Sequence, residues 1–547
     1  MKQTTTISVR LEQGGDKLGE RSLAILTNRI ERRSGARFRR SDERPDIVLS
    51  MRADLPEDAF AIEDDGPAVR IAGGGGRGLL YGVGKFLRTS RYEGGFTPSA
   101  WRGVSRPQGT LRGIYFAMHF HNWYHVASEA EIVRYTEDLA LWGVNAVMVI
   151  FPAINLAGWD DPEADLAIRK IQMYAQAAGD LGLKVVLGAG NTLFSGTPKH
   201  LLATPLPDPL KRRGNSGFPV CPSNPEGMAA ILDMHRRLFE KLSPAAPDLL
   251  CFWPYDEGGC ACPQCSPWGA NGYLRVSRAL ADLARRQFPK LQVVLSTWTF
   301  DTPPEGEWEG LTRSLERDGG WVEYIMADSH DDFPRYPLEN PVPGDAGLVN
   351  FPEISMWGNW PWGGLGAHAL PRRLQRLWDQ AKHVLTGGFP YSEGIYEDMS
   401  KVISAQFYWD RDRAAQDTLR EYAAYEFSPG VVEDVLAVVD LIETTVNQVQ
   451  ANQPVDPANV RKAADLAGAV EARLPEHARK GWRWQILRIR TILDRERYAG
   501  EGLKTPAAEA AMRRLIEIYH CQEEITDPYH HRVRPPLETG KSHVQNL

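Results

Sequence analysis

Between residues 108 and 400 the chain alternates short apolar runs with helical segments, and this alternation constrains the fold more than any other feature. The runs at 111–118, 146–151, 184–188, 249–254, 292–298, 322–327, 348–353 and 383–391 read as strands. Segments of 3.6-residue apolar spacing at 129–141, 163–181, 227–242, 273–286 and 370–381 separate most of them. Eight strands joined by helices predict an α/β fold, a closed parallel (β/α)8 TIM barrel. At 547 residues the chain is also too long for one core, so flanking domains are expected. Residues 1–105 read as a small α/β domain, 106–400 as the barrel and 401–547 as mainly helical. Glycines 73, 75 and 78 match a GxGxxG pattern, but no dinucleotide-binding unit surrounds them, and a tight turn before a helix is the simpler reading.

Composition narrows the function. A net charge of −7 and the absence of a basic face argue against nucleic acid. No apolar run approaches the roughly 18 residues that span a bilayer, and the first residues, Met1-Lys2-Gln3-Thr4-Thr5-Thr6, lack a secretory leader. A cytoplasmic protein is expected, and six cysteines without a regular framework fit a reducing compartment. The helical C-terminal region offers a surface for a homodimer.

A barrel of this kind carries its site at the C-terminal ends of its strands. There the sequence places acids and aromatics together: His119, His121 and Trp123 after strand one, Asn191 after strand three, and the pair Asp256-Glu257 after strand four. Strand five supplies Trp298 and Asp301, strand six Asp328, His330, Asp331 and Asp332, strand seven Glu353 with Trp357, Trp360 and Trp362, and strand eight Tyr391 and Glu393. Carboxylates suit a glycosidic bond and sugar hydroxyls, and indoles suit the apolar face of a sugar ring. Glu257 is the expected proton donor. For the second role two residues stand open: Glu353 as a protein nucleophile, or Asp256 orienting an acetamido group of the substrate. Glu393, Trp298, Trp357, Tyr391, His119, Arg112 and Asp328 are candidate substrate contacts. Arg112 is also readable as a barrel-bottom ion pair, because it starts its strand. A uronide would call for a cation at the mouth, and Arg335 and Lys401 are the nearby candidates.

Cys260, Cys262 and Cys265 form a CxCxxC run just after the acid pair. A metal held with Cys221 or a histidine is one reading, a disulfide another. The preferred expectation is a packed rim loop with no metal and no cofactor.

The Gly78-Leu79-Leu80-Tyr81-Gly82 segment, the Arg112-Gly113 opening of strand one, the Asp256-Glu257 pair and Gly387-Gly388 leading to Glu393 resemble family 20 β-hexosaminidases of the glycoside hydrolases. The order of domains is also similar to families 84 and 67. The resemblance implies an exo-acting, retaining glycosidase that cleaves a terminal hexoside or N-acetylhexosaminide. It implies Asp256 as the assistant to the acetamido group, Glu257 as the acid and Glu393 as a holder of sugar hydroxyls. The chain departs from that family after Arg112-Gly113, where Ile114-Tyr115-Phe116-Ala117-Met118-His119 replaces the usual Asp and Arg, and in its cysteine loop. Two other classes are to be weighed: a metal-dependent barrel hydrolase using His119 and His121 with the Asp328–Asp332 cluster, and a non-catalytic carbohydrate-binding barrel.

Overall fold

The computed structural model describes residues 6–12, 17–118, 122–205, 219–255, 259–301, 305–354 and 369–519. The N-terminal sheet contains β1 (Thr6–Leu11), β2 (Arg37–Arg40), β3 (Ile47–Met51), β4 (Phe60–Asp65), β5 (Ala68–Gly73) and β6 (Gly103–Ser105) in the order β2-β1-β3-β5-β4-β6. It is mixed: β4 runs antiparallel to β5 and β6, and the other neighbours are parallel. Two helices, Lys17–Ser34 and Gly76–Thr89, cover it. Each turns a helically spaced apolar stripe inward, Leu23, Leu26 and Ile30 in the first and Leu79, Leu80, Val83, Phe86 and Leu87 in the second. The glycine run is a packing device. A Cβ on Gly78 would stand 2.2 Å from the Ala59 carbonyl oxygen, so only glycine lets the helix start against the 55–59 turn.

The barrel follows, with β7 (Leu111–Phe116), β8 (Ala146–Ile150), β9 (Lys184–Ala189), β10 (Leu249–Phe252), β11 (Gln292–Ser296), β12 (Tyr324–Asp328) and β13 (Gly347–Phe351). Two short pieces, β14 (Gly387–Gly388) and β15 (Tyr391–Ser392), share the eighth position. All pairings are parallel, and the ring closes where β14 and β15 both pair with β7. The break falls at Phe389-Pro390, because proline has no N–H for the ladder. The Phe389 ring fills the space over Gly113, where a Cβ would meet its Cε1 at 2.0 Å.

The helix Asp398–Trp409 is buried along its whole length and leads into the helical region. A second helix, Ala415–Glu426, follows it after the charged run Asp410-Arg411-Asp412-Arg413, which turns at the surface between them. Helices Val432–Gln450, Pro457–Glu471, Trp482–Ala499 and Pro506–Tyr519 complete the region. Trp378 of the barrel stacks on Phe407 at 5.4 Å and 2°. Among the described residues no helix is long and apolar enough to cross a membrane.

Candidate active site at the barrel mouth

The C-terminal ends of the strands carry a floor of buried and half-buried aromatic rings. Tyr115 from β7 meets Tyr391 edge-on at 5.2 Å. Trp253, after β10, meets Phe351 of β13 at 4.9 Å and Trp298 at 6.2 Å. Trp298 lies just beyond β11, and the chain turns sharply after it: Thr299 has φ 64°. A β-branched residue in the left-handed region is strained by about 1–2 kcal/mol, and such strain collects at sites where a neighbouring side chain must be aimed.

Over this floor β12 and β13 set a carboxylate–imidazole–carboxylate chain. Asp328 Oδ1 accepts hydrogen bonds from both the backbone N–H of His330, at 3.0 Å, and its ring Nδ1–H, at 2.7 Å. On the other side of the ring, Nε2 lies 3.1 Å from Glu353 Oε2. Burial alone would push the His330 pKa down. The hydrogen bonds and charges of Asp328 and Glu353 overcome it and raise the value to about 9. The imidazolium is therefore charged at neutral pH, and Trp298 packs against it with centroids 4.2 Å apart. Glu353 is only 4% exposed, so its charge is balanced within the protein and largely screened from water.

The neighbouring strand end adds a second buried carboxylate. Tyr391 donates its hydroxyl to Glu393 Oε1 at 2.8 Å, and its N–H bonds the Pro352 carbonyl, which sets Tyr391 opposite Glu353 across the two strand ends. Glu397 and Asp398, a turn further on, are engaged elsewhere: Ser392 Oγ donates to Glu397 at 3.0 Å, and Asp398 accepts from Tyr422 and Arg483. A cavity of about 100 Å³ opens beside the floor, lined by Tyr115, Gly188, Asn191, Cys251, Trp253 and Tyr255 among others. Two buried polar atoms near the mouth, Asn191 Oδ1 and Trp298 Nε1, have no hydrogen-bond partner among the described residues. His235, at the back of the cavity, is kept neutral by burial at a pKa of about 4 and donates to the Ile231 carbonyl.

Several expectations change. Arg112 is not a substrate contact. It is 1% exposed at the opposite end of β7, donating to the Gly143 and Gly109 carbonyls and to Asp58 Oδ2 at 2.9 Å. Burial would raise the Asp58 carboxyl, but Arg112 and Arg77 hold it below the usual range. Neither proposed cation reaches the mouth. Lys401 is fully buried against Tyr135 Oη and the Gly394 carbonyl, and Arg335 is an exposed partner of Glu339. The cation beside the acids is one the sequence reading missed, Arg373, which donates to the His330 carbonyl and lies 3.8 Å from Asp331. Its place at the first turn of a surface helix carried no signal. The Asp328–Asp332 cluster also splits, because Asp332 turns outward to Arg376 and Gln380. Asp256, Glu257, His119, His121, Trp357, Trp360 and Trp362 lie outside the described residues.

The cysteines form a second constellation. Cys221, from the loop after β9, joins Cys260, Cys262 and Cys265, from the loop after β10, with all four sulfurs within 4.8 Å of one another. All four are free thiols. The gathering of Cys221 with the CxCxxC run is the arrangement of the metal reading rather than of the preferred packed loop.

No family model matches the chain, and no curated protein matches it in sequence. Its fold is shared with solved glycoside hydrolases. It aligns with a family 89 enzyme from Clostridium perfringens, solved in complex with its substrate GlcNAc-α-1,4-galactose, at TM-score 0.60 and 13% identity, over 92% of this chain and 65% of that one. A family 115 4-O-methyl-α-glucuronidase with specificity for decorated arabinogalactans gives TM-score 0.58 at 11% identity, over 95% and 76% of the two chains. The family 20 β-N-acetylhexosaminidase of Streptomyces coelicolor gives 0.52 at 13% identity, over 79% and 92%. These likenesses place the chain among barrels of this architecture.

Proposed function

We propose that this chain is a glycoside hydrolase acting at the barrel mouth. The observation that carries the reading is the Asp328–His330–Glu353 chain, half-buried at its first two members and buried at the third, set over an aromatic floor, with Glu393 at the neighbouring strand end. The imidazolium of His330 lies 3.1 Å from Glu353 Oε2 and aims that carboxyl group at the mouth, where a nucleophile or an oxocarbenium-stabilising group would stand. In this reading Glu257, which follows β10 in the sequence, is the acid/base, and the enzyme is retaining and exo-acting, as the family 20 resemblance implies. On an N-acetylated substrate Asp256 takes the second role, and Glu353 then stabilises charge. Trp298 offers an indole face to the sugar ring, and Glu393 offers acceptors to its hydroxyls. Arg373 favours a uronide among the substrates, because a guanidinium beside the site can pair with a sugar carboxylate.

The metal-dependent alternative is disfavoured by the use of its described donors: Asp328 is tied to His330, and Asp332 to Arg376 and Gln380.

The test is hydrolysis of a panel of 4-nitrophenyl glycosides, glucuronide and N-acetylglucosaminide included, by wild type, Glu257→Gln and Glu353→Gln. Cleavage of one glycoside that both substitutions abolish supports the reading. Cleavage that survives both substitutions refutes it.

A further inference from the structure

The four-cysteine constellation is independent of the glycosidase reading and has a geometry of its own. Tetrahedral zinc with sulfur at about 2.3 Å spaces its ligands about 3.8 Å apart. Cys221 Sγ and Cys262 Sγ are 3.8 Å apart, and no pair in the set exceeds 4.8 Å. The sulfurs are shielded: Cys260 and Cys265 are fully buried, Cys221 nearly so, and Cys262 half-buried.

A polar group also stands among the sulfurs. The hydroxyl of Ser223 lies 3.0 Å from Cys221 Sγ and 3.1 Å from Cys262 Sγ. A thiol is a poor acceptor and gains little from such a donor, whereas a metal-bound thiolate carries negative charge that a hydroxyl can orient and spread. A disulfide would join two of the sulfurs and leave the convergence of the other two without purpose.

We infer that Cys221, Cys260, Cys262 and Cys265 bind one Zn²⁺ as a closed four-thiolate site that ties the loop after β9 to the loop after β10. Binding forms four S–Zn bonds and releases the thiol protons to solvent, with no change of oxidation state. A site with four protein sulfurs has no position left for water or substrate, so its role is structural. Its value lies in where it sits. Cys260 follows Glu257 by three residues, so the ion anchors one end of the segment that carries the acid pair.

The experiment is metal analysis of the full-length chain, purified without chelator, with a second sample reduced, incubated with ZnCl2 and desalted. The expected result is about one zinc per chain, lost in Cys262→Ser, a half-buried position where the substitution is tolerable. Exchange with Co²⁺ should give the intense sulfur-to-metal absorption of tetrahedral thiolate cobalt. Three results would overturn the inference: no zinc retained after reconstitution, equal zinc in wild type and Cys262→Ser, or iron with its visible absorption in place of zinc.

Discussion

Replacing Asp328 by Asn removes one of the two carboxylates that keep His330 protonated and leaves its burial in place. The gap between about 9 and the ordinary histidine value of 6.5, at about 1.4 kcal/mol per tenfold in proton affinity, corresponds to about 3 kcal/mol. The folded value lies above the unfolded one. The stabilisation is therefore fully present below pH 6.5 and is lost as the pH rises through about 9. Burial opposes the charge, and the Asp328 hydrogen bond is the largest influence against it, so the substitution should forfeit more than half, about 2 kcal/mol. Lys401 runs the other way: burial lowers it to about 8, so the fold gains stability as the pH climbs from there towards 10.5. That contribution is common to both proteins and cancels in their difference. The assay is urea denaturation of wild type and Asp328→Asn at pH 6 and pH 10. The expected difference is about 2 kcal/mol at pH 6, shrinking to less than about 0.5 at pH 10. The alkaline limb of kcat/KM should move from near 9 to below about 7.5 in the variant. A difference of equal size at both pH values would refute the charged-histidine account.

Glu353→Gln should lower kcat by roughly 10³-fold or more, while Glu393→Gln should mainly raise KM, by about tenfold for one lost charged hydrogen bond; steady-state kinetics on the cleaved glycoside separates the two. Gly78→Ala should cost about 1–3 kcal/mol, because its Cβ meets a backbone carbonyl at 2.2 Å, and thermal unfolding reads it. Arg112→Met should cost about 3 kcal/mol, the low end for a broken buried pair because Arg77 still holds Asp58 at 2.7 Å. The kcat/KM of the folded fraction should stay within about twofold, and a large rise in KM would return Arg112 to the substrate site.

The barrel was legible because its strands are buried on both faces and so read as short apolar runs such as Ala146–Ile150 and Gln292–Ser296. The acids at their ends were legible for the same reason, since Glu353 and Glu393 directly follow such runs. What stayed hidden depends on closure in space. His330 joins Asp328 to Glu353 only because β12 and β13 are neighbours in register, Asp328 opposite Phe351. Cys221 could be named from the sequence as one of several fourth ligands, but that it meets Cys260, 39 residues on, depends on β9 lying beside β10. For Arg112 its place at the start of the strand allowed the barrel-bottom reading, but nothing local named its partner. Its partner Asp58 comes from another domain.

That partnership means the barrel does not own its base, the end opposite the mouth. Asp58 of the N-terminal sheet balances Arg112, and the rings of Tyr81 and Trp409, one from each flanking region, face the guanidinium at 5.4 and 5.3 Å. The two flanks also clasp each other directly, Lys85 and Arg88 on Glu421 and Arg33 on Glu426. A barrel cut out for transplantation would carry an unbalanced buried cation, so the smallest transferable unit is the sheet, the barrel and the first C-terminal helices together.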